Sequence, residues 1–97
     1  MSEYAVILKP LRDNFVATIT PEETEIAQRH FAYFSALYDQ GKLKFAGRCE
    51  DGFLGLAIIE AGSEEEVRRF MADDPAVSAG LMSHTIKAWR TALGTAG

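Results

Sequence analysis

Residues 42–59 read KLKFAGRCEDGFLGLAII, and the fold is decided by how this stretch is read. From Lys42 to Cys49 the chain alternates. Leu43, Phe45, Gly47 and Cys49 fall on one side, with Lys42, Lys44, Ala46 and Arg48 on the other. That is the pattern of a half-exposed strand. Glu50-Asp51-Gly52 supplies a tight hairpin turn. Phe53 to Ile59 then continues as a strand that is apolar on both sides, as expected at the centre of a sheet covered on two faces.

Working outward, each side of this hairpin carries a helix signal and then a strand. Before it, Thr20-Pro21-Glu22-Glu23 predicts a helix start. Thr20 caps, Pro21 suits the first helical position, and Glu23 completes a capping box at the positive end of the helix dipole. This helix is predicted to run to about Gln40, with Gly41 as its left-handed cap. Its apolar residues are Ile26, Ala27, Phe31, Phe34, Leu37 and Tyr38. The stripe through Ile26, Tyr33/Phe34 and Leu37 carries His30 toward the packed face. Upstream, Leu11 to Ile19 reads as a long loop, and Tyr4 to Leu8, stopped by Pro10, as a strand.

After the hairpin, Ser63-Glu64-Glu65-Glu66 reads as a second capping box, opening a shorter helix through Val67, Phe70 and Met71. Asp74-Pro75 ends it, because the proline ring disfavours helical geometry at Asp74. Val77 to Gly80 reads as a turn, Leu81 to Trp89 as the last strand, and about 91–97 as a flexible tail. The order βαββαβ predicts an α+β, ferredoxin-like domain over residues 1–97, with a four-stranded antiparallel sheet and both helices on one face. The central strands are apolar on both sides, so the face without helices needs a cover. A second copy of the chain, paired by a two-fold axis, is the expected partner. The 11–19 loop or the C-terminal segment folding across that face is the alternative.

The 97 residues carry a formal charge of −4 and 47% hydrophobic residues, an ordinary globular balance. A polyanion-binding surface is expected to be basic, so nucleic acid is not an expected partner. No apolar run approaches the ~20 residues that cross a bilayer, so no membrane partner is expected. The opening MSEYAVILKP reads as a strand rather than a signal peptide, which predicts a cytoplasmic protein. Cys49 alone allows no internal disulfide and no paired-cysteine zinc site, and reads as a small buried apolar residue. No metal-ligand spacing and no glycine-rich phosphate loop is present, so neither metal nor cofactor is expected.

Two residues stand out chemically. His30 on a packed stripe is either a satisfied core histidine or a proton-transfer group. Asp74 follows Val67 and Phe70/Met71 at helical spacing and therefore also projects inward. With Asp73 it sits where the helix dipole disfavours carboxylates, a local inconsistency of the kind functional sites carry. The alternative is that both acids are solvated and Asp74 caps the turn. If the two side chains meet, the carboxylate holds the imidazole in one tautomer and the free ring nitrogen can move a proton on a bound small molecule. Arg48 is a candidate for meeting a carboxylate or phenolate at the pocket mouth, and Tyr33 a candidate hydrogen-bond donor. Their alternatives are an exposed edge residue and a core aromatic.

The run His30-Phe31-Ala32-Tyr33-Phe34, then Gly41-Lys42-Leu43 and Ala46-Gly47, resembles the YCII-related family. Gly55, Ile59-Glu60-Ala61, Ser63-Glu64-Glu65, Asp74-Pro75, Ala79-Gly80-Leu81 and Trp89-Arg90 follow in the order that family shows. The resemblance implies a dimeric α/β barrel of ferredoxin-like subunits with a histidine–aspartate pair in a pocket, here His30 and Asp74. It further implies cofactor-free lyase or isomerase chemistry on small aromatic or lactone-like catabolites, including removal of chloride from a hydroxylated ring. A non-catalytic small-molecule binding or dimerisation module is the alternative. Two positions depart from the pattern: Arg48 replaces the usual proline after Gly47, and Ala76 replaces the phenylalanine after Asp-Pro, leaving more room beside Asp74.

Overall fold

The computed structural model describes residues 1–94. The chain runs β1 (Ser2–Pro10), α1 (Phe15–Thr18), α2 (Pro21–Asp39), β2 (Leu43–Arg48), β3 (Gly55–Ala61), α3 (Glu64–Ala72), α4 (Pro75–Ser78) and β4 (Met82–Trp89). The strands form one antiparallel sheet in the order β2-β3-β1-β4, so the strands that are apolar on both sides are central. This is the expected α+β ferredoxin-like fold. Tyr4, Val6 and Leu8 of β1, with Ala57, Ile59 and Ala61 of β3, meet Phe34 and Leu37 of α2 and Val67 and Met71 of α3 in the main core.

The capping logic holds for α2. Thr20 Oγ1 accepts from the Glu23 backbone N–H, and Glu23 Oε1 accepts from the Thr20 N–H. At the other end Gly41 has φ 78°, its N–H donates to Tyr38 O, and Lys42 N–H donates to Leu37 O, a Schellman ending. In α3 the Ser63 cap bonds the Glu66 N–H, but the Glu66 carboxylate reaches one residue further back, to the Gly62 N–H.

Several local expectations are corrected. The 11–19 segment is not all loop: Asn14, at φ 58°, starts the short α1, and Phe15 packs against Ala76 and Leu81. The room beside the small Ala76 is thus taken by Phe15. Val77 belongs to α4 rather than to a turn, so Asp74 begins a helix instead of only ending one. The clash with the helix dipole expected at Asp74 disappears there, because the start of a helix favours negative charge.

The third correction concerns β2. Leu43 pairs with Ile59 while Phe45 pairs with Ile58, so Lys44 is an extra residue, a β-bulge. One inserted residue inverts the alternation beyond it. Leu43 and Phe45 therefore face opposite sides of the sheet, and are 5% and 52% exposed respectively. Beyond the bulge, Ala46 and Arg48 join the helix side in rows with Ala57 and Gly55. A Cβ built at Gly55 would stand 3.8 Å from Leu8 Cβ and 3.9 Å from Arg48 Cβ, which puts these two side chains on one face. Cys49, just past the strand end, is exposed and not a buried apolar residue. The tight turn forms as expected, Gly52 N–H donating to Cys49 O at 2.9 Å, but β3 starts at Gly55 rather than at Phe53.

The 11–19 segment lies on the helix side, and on the opposite face Ala5 and Ile58 are nonetheless buried. Arg12 secures the segment. Its guanidinium donates to both carboxylate oxygens of Glu23 at 2.8 Å, to Thr18 Oγ1 at 3.0 Å and to Thr18 O at 2.8 Å. At the chain end, Thr91 donates to Glu3 at 3.0 Å. Of the expected flexible tail, Leu93 is 94% exposed and residues 95–97 lie outside the described residues.

The Arg12 hydrogen bonds, helped by the Thr20 N–H, lower the Glu23 carboxyl from 4.5 to about 2. A depressed carboxyl stabilises the fold fully above its unfolded value and loses that contribution as pH falls through the folded value. Thermal melts should show the native chain losing an increment of stability between about pH 4.5 and 2 that is smaller in the Arg12→Gln variant, which keeps only the Thr20 contacts to Glu23. Parallel melting curves for the two proteins over that window would contradict this account.

Candidate active site

Asp74 has no exposed surface, and both its carboxylate oxygens lie within hydrogen-bond distance of His30 Nδ1, at 2.7 and 2.9 Å. His30 projects from the middle of α2, and Asp74 sits between α3 and α4. The two are brought together because α2 packs directly on α4. Asp74 makes no side-chain cap for α4, so its carboxylate is committed to the histidine. A carboxylate only accepts hydrogen bonds. Nδ1 therefore carries a proton in this contact, and in the neutral ring the lone pair is left on Nε2. Among the described residues Nε2 has no protein partner. The ring is further held by Phe34, one turn on, with centroids 4.5 Å apart.

His30 lines a cavity of about 860 Å³, within the range of small-molecule sites. One wall is α2, through Ala27, Phe31, Phe34 and Tyr38. The second is α1 and its flanks, through Phe15, Val16 and Ile19. The floor is Leu8, Gly55 and the bulged end of β2. Phe31 and Tyr38 are 73% and 60% exposed although both line the cavity, so with Phe45 they mark its mouth. The lining is mostly apolar. Its charged or titratable members are His30, Tyr38, Asp39, Lys44 and Arg48.

Of the four residues singled out from sequence, His30 and Asp74 form the pair, and Arg48 stands on the cavity wall. Tyr33 does not line the cavity. Its hydroxyl donates to Phe70 O at 2.7 Å, tying α2 to α3. Burial, with the charges of Asp73 and Asp74 adding, pushes this hydroxyl above its ordinary value and keeps it a donor. His84 is exposed on edge strand β4, opposite Leu8. Sequence reasoning missed the wall made by Phe15, Val16 and Ile19. The one signal was Asp13-Asn14, a turn-forming pair compatible with left-handed backbone. Among the described residues no group of three or more His, Cys, Asp and Glu is placed to hold a metal, and no helix is long and apolar enough to cross a membrane.

A ferredoxin-like α+β domain with an oriented imidazole at a preformed cavity defines the class of this molecule. Within that class, the chain belongs to the YCII-related domain family, whose model matches residues 3–90. Its fold is similar to that of a solved structure, 5-chloro-2-hydroxyhydroquinone dehydrochlorinase (TftG) from Burkholderia phenoliruptrix AC1100, in complex with 2,5-dihydroxybenzoquinone. The TM-score is 0.67 at 23% identity, covering 90% of this chain and 93% of that one. Among curated proteins no sequence matches the chain.

Removing the donor from a buried carboxylate leaves an uncompensated charge. His30→Ala should destabilise the fold by roughly 3 kcal/mol in urea denaturation at neutral pH. Asp74→Asn keeps an acceptor for Nδ1–H and should cost less than about 1.5 kcal/mol. Equal small losses for both variants would show that the pair does not carry the junction between α2 and α4.

Proposed function

We propose that this protein is a small-molecule enzyme of the lyase or isomerase type, acting on a small aromatic or lactone-like catabolite with His30 as its proton-transfer group. The observation that carries the reading is the Nδ1 contact to a fully buried Asp74 on a ring that lines the cavity. In the proposed reaction, Nε2 takes a proton from the bound substrate. The electron pair left behind forms a new double bond and expels an anion, or returns to another atom with the same proton. Asp74 meets the imidazolium formed in between. Proton and leaving group depart together without net oxidation, so the chemistry calls on no redox cofactor. The fold likeness to a dehydrochlorinase bound to a quinone supports the substrate class.

His30→Gln keeps a polar group of similar reach but cannot cycle a proton. It should lower kcat roughly 10²–10⁴-fold with a much smaller change in KM. If the native protein converts none of a panel of chlorinated hydroquinones and lactones, the enzymatic reading falls. Ligand affinity without conversion would make the pocket a binding module instead.

The proposed working form is a homodimer. The face opposite the helices carries the cross-strand rows Phe45–Ile58–Ala5–Lys87 and Gly47–Leu56–Ile7–Thr85, in which Ala5 and Ile58 are already buried within one chain while Phe45 is 52% exposed. Of the two alternative covers, the 11–19 segment packs on the other side, while the C-terminal segment bonds through Thr91 to Glu3 on this face. Sedimentation at micromolar concentration should give twice the 10.7 kDa chain mass, and Ile7→Lys should return it to a single chain. A native monomer would refute the pairing.

A further inference from the structure

Arg48 reaches the cavity only because of the bulge at Lys44. In an unbroken alternation it would face the side opposite Leu43, whereas here its Cβ shares a face with Leu8 on the cavity floor. Its guanidinium is held from one end. Nη1 donates to Cys49 O at 3.0 Å and to Glu50 O at 2.9 Å, which uses both of its hydrogens. Nε and Nη2 have no acceptor among the described residues. These two N–H groups form the side-on edge of the guanidinium, the edge that grips a planar carboxylate through two parallel hydrogen bonds. The carbonyls at the hairpin orient the group without neutralising it, and Arg48 forms no ion pair with a carboxylate of the chain among the described residues. The other charged lining groups, Asp39 and Lys44, are of opposite sign, and Lys44 lies 3.7 Å from Glu60.

We propose that Arg48 is a specificity-determining residue that selects ligands bearing a carboxylate on an aromatic ring. Its free edge takes the acid while the apolar walls take the ring. The proposal rests on the reading of the cavity as the ligand site. It gives the pocket two polar anchors on separate elements, His30 on α2 and Arg48 on β2, with apolar surface between. A planar molecule is then fixed in orientation as well as in place, as proton transfer at one ring position requires.

The test compares 2,5-dihydroxybenzoate, 2,5-dihydroxybenzamide and hydroquinone, titrated at neutral pH with NMR observation of the His30 ring. The native protein should bind the acid roughly 10- to 100-fold more tightly than the amide, the range expected for charge-assisted hydrogen bonds. Arg48→Gln should remove most of the acid's advantage, weakening the acid far more than the amide. Arg48→Lys should recover only part of the preference, because an ammonium cannot form the two-pronged contact. Equal affinities in the native protein, or a preference that survives Arg48→Gln largely intact, would overturn the proposal. If the amide or hydroquinone still perturbs the His30 ring in that case, the pocket assignment stands alone. If none of the three perturbs it, both fall.

Discussion

A carboxylate with no exposed surface has to be met by a donor, and in this molecule the Asp74 carboxylate is met by His30 Nδ1. That requirement docks the middle of α2 against the junction of α3 and α4. It also decides the chemistry available, since committing Nδ1 to the acid leaves Nε2 as the nitrogen free to act. Around this contact the aromatic residues arrange themselves by packing: Phe34 against the ring, and Tyr33 tied to the Phe70 carbonyl. The polar pair thus belongs to the architecture as much as to the site, because the helices it joins are the ones that cover the sheet.

The cavity beside the pair results from helices and sheet failing to close against each other at one end. Leu43 seals the gap between α2 and the sheet, but the residues after it do not. The bulge turns Phe45 away, and the small Ala46 and Gly55 leave the floor low. On the far side the gap is walled by a helix of only four residues, α1, seated on Ala76 and Leu81 and latched by Arg12 to Thr18 and Glu23. Gly52 completes this wall. A Cβ there would come within 2.4 Å of Val16 Cγ2, and the backbone has φ 79°, so the close approach of hairpin and segment needs glycine. The bulge, the missing side chains and the latched segment together leave a volume that a small planar molecule can fill.

The sheet has unequal faces for a simple physical reason. Two helices of this size cover one face of four strands, and the central strands carry apolar residues on both. The half-exposed Phe45 of the face opposite the helices also belongs to the cavity lining, so that face and the site meet at the edge strand β2.

Much of the fold was legible in the sequence because its signals are local. The Thr20–Glu23 box, Pro21, Gly41 and the alternation around Glu50-Asp51-Gly52 each act within a few residues, and their order dictates βαββαβ. His30 could be marked as inward-pointing for the same reason, by helical spacing; Asp74, marked in the same way, lies beyond α3 and is buried as the residue that begins α4. Their meeting, the fate of Arg48 and the wall built by Phe15 were not legible in this way. A bulge is a mismatch between two strands and has no signature in either one. A four-residue helix is too short to show a period. A hydrogen bond spanning 44 positions exists only when the helices have packed. The sequence by itself determined which elements form and which faces are apolar, since those follow from neighbouring side chains. Only the tertiary structure decided which polar groups share a cavity, because that depends on register and docking between elements distant in the chain.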